Sequence, residues 1–462
     1  MLSSRHFRPY LYVSVLLVCL SFLFGIPGVN AFGASVITLP LVDDTKVPAV
    51  DDSERILHDG WIRDFQIPAW STKPAGKPEV TAACSALMDA GTGQLLYEVN
   101  AHKHRPNAST TKILTSILVM ENCQLTDKIT ASKTCSETMF TSIHLKPGEQ
   151  ISVKDLLASL LIRSANDAAV AAAEHVAGSV KNFSKLMNEK AREIGCSDTH
   201  FVTPNGLYDP NHYTSAYDLC LMARYAFNYP VFNELIKLHK YRLNSRNLNR
   251  EDLVVFQKSK FLKYYTGADG VKSGYTKQSG PCYVGSATRT GWRLVSAVLD
   301  SKNVSQDTAA LMNYGYGAYK LYKFATAREK LGIIPISGGS QGSVAVYPEH
   351  DVCVAVPRTG GKLSVVFSIS QARAPIVDGQ SLGTVTTMLN GNPIETIELR
   401  SVERVDMSML RKSAPFMIGC CILGCGMLLV KYGTTTSKDI SFRGIRISSL
   451  LRDLNRRWQG RG

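Results

Sequence analysis

Metal-binding cysteine pairs are missing from this sequence. None of its 11 cysteines belongs to a Cys-x-x-Cys pair, so no zinc or other metal site is expected. Cys19 falls in an N-terminal apolar run, and Cys420, Cys421 and Cys425 fall in a C-terminal one. The remaining set, Cys84, Cys123, Cys135, Cys196, Cys220, Cys282 and Cys353, is odd in number and irregularly spaced. Mostly buried thiols are expected, with one or two disulfides left open. Signatures of nucleic-acid recognition are missing as well: no recognition-helix, zinc-finger or RNA-binding pattern accompanies the formal net charge of +14. Such a charge suggests an acidic partner, either nucleic acid or an anionic membrane. Much of the excess sits in the last thirty residues, beyond an apolar stretch, which favours membrane lipid over nucleic acid. The 19% of charged residues and 45% of hydrophobic ones are ordinary for a globular protein, and 462 residues allow two or three domains.

The two ends read as targeting and anchoring segments. Arg5 and Arg8 precede an apolar run from Leu11 to Ile26, and Val29-Asn30-Ala31 offers small residues for cleavage. Residues 1–31 are therefore expected to be a secretory signal peptide, with an uncleaved anchor as the alternative. Residues 414–430 are uncharged and apolar, the short end of a transmembrane helix. Beyond them, residues 431–462 carry Lys431, Lys438, Arg443, Arg446, Arg452, Arg456, Arg457 and Arg461 against Asp439 and Asp453. The positive-inside rule makes this a cytoplasmic tail, and an amphipathic helix on the inner leaflet fits its Ile447, Leu450, Leu451, Leu454 and Trp458 stripe. The expected location is a single-pass cytoplasmic-membrane protein with its bulk on the outer, periplasmic face.

Between these ends, residues 32–75 read as an exported segment without a core of its own. Residues 76–320 run strands, helices, then strands, an α+β order with helices covering an antiparallel sheet. Residues 322–405 read as a small all-β domain; Leu363, Val365, Phe367 and Ile369 alternate with Ser364, Val366 and Ser368.

Three short patterns lie in order within residues 76–320. In the first, Ser109-Thr110-Thr111-Lys112, the apolar stripe Ile113, Leu114, Ile117 and Leu118 predicts a helix beginning at or near Ser109. Lys112 then shares a face with Ser109, one turn on. A serine is a poor nucleophile until a base takes its proton, and lysine does so only if its pKa is depressed. The second pattern is Ser164-Ala165-Asn166, in a turn between two apolar helices; Ser245-Arg246-Asn247 and Ser301-Lys302-Asn303 match the same short form. The third is Lys272-Ser273-Gly274, on a strand, where the missing side chain of Gly274 lets a substrate backbone approach the sheet edge.

Taken jointly, the set resembles the penicillin-recognising serine enzymes. Within them it is similar to the low-molecular-mass penicillin-binding proteins that act as D-alanyl-D-alanine carboxypeptidases, the peptidase S11 family. Gly270-Val271-Lys272-Ser273-Gly274-Tyr275-Thr276, Phe201-Val202-Thr203-Pro204-Asn205-Gly206-Leu207 and Ser164-Ala165-Asn166-Asp167-Ala168 carry the likeness, over roughly residues 80–405. The resemblance implies a β-lactamase/transpeptidase-like catalytic domain followed by the β domain and a C-terminal membrane helix. It implies peptidoglycan stem peptides as substrate, β-lactam antibiotics as ligands, and no cofactor. By resemblance, Ser109 is the nucleophile, Lys112 its base, and Ser164 a proton relay. Asn166 holds the substrate amide and orients Lys112. Lys272 keeps Lys112 neutral by like-charge repulsion and, with Ser273, binds the terminal carboxylate. The N–H groups of Ser109 and Tyr275 form the oxyanion hole beside Gly274. Lys302 is a loose candidate for a further carboxylate contact. Ser273 stands where Thr is commoner, and Ala165 where Gly is usual, which narrows that turn. A DD-endopeptidase, a β-lactamase and a catalytically weak wall-binding scaffold are the alternatives. Against the β-lactamase, no Glu-x-x-Leu-Asn stretch lies between Ser164 and Lys272.

Overall fold

A computed structural model describes residues 55–248, 253–409, 413 and 417–425, and residues 37–40 as backbone only. The expected signal peptide and basic tail lie outside the described residues, as do parts of the expected membrane segment 414–430. Among the described residues no helix is long and apolar enough to cross a membrane.

The first half is built on a five-stranded antiparallel sheet. Its strands, in spatial order, are Leu95–Val99, Cys84–Asp89, Trp292–Leu299, Gly280–Arg289 and Ala268–Thr276. Period-two alternation sends successive side chains to opposite faces, and both faces are covered. Ala86, Met88, Val295 and Ala297 pack with Leu219, Cys220 and Ala223 of helix Ala216–Ala226. Leu87, Leu294 and Val298 pack with Leu311 and Met312 of helix Val304–Ala318. Most of the remaining helices gather on the first face, around Lys112–Asn122 and Asn166–Ala177, whose residues 112–119 and 166–173 are buried. Phe261 of the short helix Lys260–Tyr264 joins the second face. Ala-rich Asn166–Ala177 fits there because Ala168, Ala169, Ala171, Ala172 and Ala173 let neighbouring backbones come close. The edge strand Ala268–Thr276 is left with one side open. The described cysteines are all free thiols, so neither of the disulfides left open is formed among them.

The second half is all-β, with its own core of Val344, Val354, Val365, Phe367, Val385 and Leu399. Its main sheet includes strand Ile62–Ile67, antiparallel to Gly361–Ile369, and Ile37–Pro40 beside it in parallel. The strand Ile62–Ile67 within residues 32–75 thus has no core of its own and joins that of the β domain. Phe65 and Ile67 are core residues of the β domain, with Leu57. The charges on this strand are met by neighbours: Lys362 pairs with Asp64 at 2.6 Å, and the Arg63 guanidinium lies 4.9 Å from the Phe65 ring centroid.

Candidate active site

Ser109 sits in a 3-10 turn, Ala108–Thr111, that runs directly into the α-helix Lys112–Asn122. The regular helix thus begins three residues later than the sequence suggested. Ser109 does not cap it, and Asn107 makes no side-chain capping bond. Instead the Asn107 amide donates to Thr110 Oγ1 (2.9 Å) and Thr111 Oγ1 (3.0 Å), which tightens the turn.

Lys112 is fully buried, and its Nζ lies 2.9 Å from Ser109 Oγ, 2.8 Å from Asn166 Oδ1 and 2.7 Å from Asn205 O. Asn166 presents its oxygen to the lysine because its Nδ2 donates to Met139 O at 3.0 Å. Both Asn166 Oδ1 and Asn205 O can only accept. A neutral amine has two N–H groups and one lone pair; the two N–H groups go to these oxygens, and the lone pair is left facing the Ser109 hydroxyl. Burial holds the Lys112 pKa well below its ordinary value, and the charge of Lys272 pushes the same way, against an opposing pull from Asp167. The like-charge effect expected from the sequence is therefore the second cause, and desolvation the first.

Asp167, also fully buried, organises the wall behind Asn166. Its carboxylate accepts from Ser142 Oγ (2.7 Å) and from the backbone N–H groups of Leu145 (3.0 Å) and Ala168 (2.9 Å). Ser164 occupies a left-handed position, φ 67°, between the turn Ser159–Arg163 and helix Asn166–Ala177. Its hydroxyl has no hydrogen-bond partner among the described residues, and it is half-buried. Ala165 has φ −62°, open to any residue, so alanine in place of glycine adds no backbone strain.

Lys272 is buried on the edge strand and donates to Ser273 O at 2.8 Å; burial pushes its pKa down to about 7. Tyr275 extends its side chain into solvent. Pro281 stands opposite Tyr275 in the ladder, and its carbonyl accepts from Ser301 N at 3.0 Å, on the side away from Tyr275. That is a non-hydrogen-bonded pair, so the Tyr275 N–H faces the open edge. Gly274 differs from expectation. A Cβ there would lie 2.9 Å from Asn107 O and 2.9 Å from Ser109 N. The missing side chain makes room for the nucleophile turn itself, and so brings the strand and Ser109 together.

The two other Ser-x-Asn matches are structural. Ser245 Oγ donates to Asp155 Oδ2 (2.7 Å), and Arg246 forms a fully buried ion pair with Glu149 (2.7 Å). Ser301 donates to Asp307 (2.7 Å), and Asn303 caps helix Val304–Ala318. Lys302 between them is exposed, and the contact it makes is a backbone one to Thr81. Asn205 and Gly206 were not assigned from sequence. Asn205 acts through its carbonyl, which no side-chain pattern announces. Gly206, at φ +81°, packs so close that a Cβ would fall 1.9 Å from Ala108 O.

Residues 71–303 match the D-alanyl-D-alanine carboxypeptidase family, peptidase S11, and residues 319–406 match the C-terminal domain of penicillin-binding protein 5. The chain is 31% identical over 355 residues to the D-alanyl-D-alanine carboxypeptidase DacC of Escherichia coli, covering 71% of this chain and 85% of that one. It is 29% identical over 321 residues to DacF of Bacillus subtilis, 67% of this chain and 82% of the relative. Among solved structures, penicillin-binding protein 5 from Haemophilus influenzae superimposes with a TM-score of 0.59 at 26% identity, over 72% of this chain and 99% of that one. DacD from Francisella tularensis gives 0.53 at 26% identity, over 73% and 96%. With a buried amine facing a serine hydroxyl, an open strand edge beside it, and these likenesses across both halves, the chain belongs to the peptidase S11 family and is a D-alanyl-D-alanine carboxypeptidase.

Proposed function

We propose that this carboxypeptidase works through an acyl-enzyme on Ser109 and is penicillin-sensitive. The observation that carries this is the seating of Lys112 Nζ among Ser109 Oγ, Asn166 Oδ1 and Asn205 O. Neutral Lys112 takes the Ser109 proton as Oγ attacks the carbonyl carbon of the D-Ala-D-Ala bond. The oxyanion that forms accepts from the N–H groups of Ser109 and Tyr275; one such donor contributes about 3–4 kcal/mol to the transition state. The unpartnered Ser164 hydroxyl relays a proton to the leaving amine of the terminal D-alanine. Protonated Lys272 and Ser273 hold its carboxylate, and water then cleaves the acyl ester. A β-lactam offers the same carbonyl and carboxylate, and acylates the same oxygen.

In this reading residues 1–31 direct export, 414–430 span the cytoplasmic membrane and 431–462 lie inside, so the catalytic domain faces peptidoglycan stem pentapeptides outside. Detergent-solubilised full-length protein is expected to release D-alanine from a stem pentapeptide and to label covalently with a fluorescent penicillin, and Ser109→Ala is expected to do neither. Labelling that survives Ser109→Ala would reject the nucleophile. For the anchor, deleting residues 410–462 should move the labelled protein from the membrane to the soluble fraction; retention in the membrane would reject it.

A further inference from the structure

The Ser109 turn contains a residue in an unfavourable conformation. Ala108 has φ +49°, a left-handed conformation that a residue with a Cβ rarely adopts. Something must hold it there. On one side the Gly206 backbone presses against the Ala108 carbonyl, leaving no room for a Cβ. On the other, Thr111 Oγ1 donates to Ala108 O at 2.8 Å. That hydroxyl also lies 2.9 Å from His212 Nε2.

The roles in this chain follow from valence. His212 Nδ1 lies 3.0 Å from Val202 N and 3.2 Å from Thr203 N, two backbone groups that only donate. Nδ1 therefore carries its lone pair, and in a neutral ring the hydrogen sits on Nε2, aimed at Thr111. Burial pushes the imidazole pKa down to about 4, so the ring is neutral at working pH. Thr111 accepts from His212 and from Asn107 Nδ2 (3.0 Å), and its one hydrogen has nowhere to go except Ala108 O. The Ala108 carbonyl and the Ser109 N–H belong to one rigid peptide plane. Pinning the oxygen sets the direction of the N–H.

We propose that His212 is a positioning residue for catalysis, which through Thr111 locks the Ala108–Ser109 peptide plane and so aims the Ser109 N–H at the developing oxyanion. This rests on the reading of Ser109 as nucleophile and oxyanion donor. The ring touches no substrate; its effect falls on the transition state and not on ground-state binding.

The test compares His212→Phe, which keeps the ring and loses both polar atoms, with His212→Gln, whose amide keeps one donor and one acceptor. Full-length His212→Phe should lower kcat for D-alanine release roughly 10- to 100-fold with KM within about threefold, since small misplacements at a reacting centre cost rates of that order. His212→Gln should recover to within about fivefold of wild type. Thr111→Val should reproduce the His212→Phe loss, and Thr111→Ser should not. Hydrogen exchange in residues 106–112 should quicken in His212→Phe and Thr111→Val and stay slow in the other two. If His212→Phe does not fold, the threonine pair decides. Wild-type kcat in a folded His212→Phe or Thr111→Val, or a His212→Gln as slow as His212→Phe, overturns the proposal. Should wild type itself neither turn over nor label, the catalytic reading falls, and unchanged exchange in the variants would separately overturn the lock.

Discussion

Gly274→Ala isolates the contact on which the site depends. The added Cβ would meet Asn107 O and Ser109 N at 2.9 Å and Ala108 Cβ at 3.1 Å. Ordinary van der Waals separation begins near 3.4 Å, so strand and turn must part by about half an ångström. The φ of Gly274 is not in the left-handed region, so alanine brings no backbone strain of its own. Two effects on stability then oppose each other. Overpacking costs about 1–3 kcal/mol, while loss of glycine's freedom in the unfolded chain returns about 0.4–1 kcal/mol. The net is a modest destabilisation, about 0–2.5 kcal/mol. Catalysis should suffer more, because the displacement falls between Tyr275 N–H and Ser109 N–H, the two halves of the proposed oxyanion hole. A loss of roughly 10- to 100-fold in acylation rate follows from a shift of this size. The assay is the time course of fluorescent-penicillin labelling beside the urea midpoint of the same preparation. If Gly274→Ala acylates at the wild-type rate with an unchanged midpoint, the strand does not lie against the nucleophile turn, and the reasoning fails.

Three further outcomes follow from the buried charges. Asn166→Asp places a carboxylate 2.8 Å from Lys112 Nζ, which raises the amine's pKa; labelling should fall at neutral pH and recover on going alkaline, and an unchanged pH profile would refute the role given to Lys112. Lys272 has its folded pKa depressed to about 7, so between there and the ordinary lysine range the unfolded chain binds more protons. Stability should therefore rise with pH through that window and be lost as pH falls to 7, by at most about 1.4 kcal/mol per pH unit. Lys272→Met should flatten that rise in the urea midpoint; an identical slope would refute it. Glu395, at the junction of the two halves, has its pKa raised to about 7 by burial, with Arg224 opposing. Its contribution to stability is full below the ordinary glutamate range and lost as pH rises through 7. Glu395→Gln should remove a fall in midpoint between pH 5 and 7 that wild type displays, while leaving catalysis unchanged.

The catalytic triplet of motifs was legible because it is written in side chains. Within each motif the hydroxyl, amine and amide have short fixed spacings, and the helix after Ser109 follows from the apolar stripe Ile113, Leu114, Ile117 and Leu118. The rest of the site was not legible, because it is written in backbone. Asn205 works through a carbonyl, and Gly206 through a missing Cβ. Any side chain of the right conformational type serves at Asn205, so no residue pattern points to it. Gly274 misled for a related reason: the sequence says that something comes close, and only the fold says that it is Ser109.

The strand Ile62–Ile67 shows the same limit at the level of architecture. Its partner, Gly361–Ile369, lies about three hundred residues away, and the whole catalytic half intervenes. Local reading takes residues 32–75 as a segment without a core of its own, since periodicity within it shows no distant partner. Yet Asp64 is held by Lys362, and Arg63 lies over Phe65 and Phe324; both charges find their compensation on the β domain. Closing so long a loop adds little to the entropy already lost in ordering the chain, since that term grows only with the logarithm of loop length. Burial of Phe65 and Ile67 against the β core offsets it. The chain thus enters through the second domain before building the first, and Gln94 ties them together by donating to Ala355 O (2.8 Å) and accepting from Ala355 N (2.9 Å). The strand pairing holds residues 62–67 to the β domain, and the Gln94 amide clamp joins that domain to the sheet that carries Lys272.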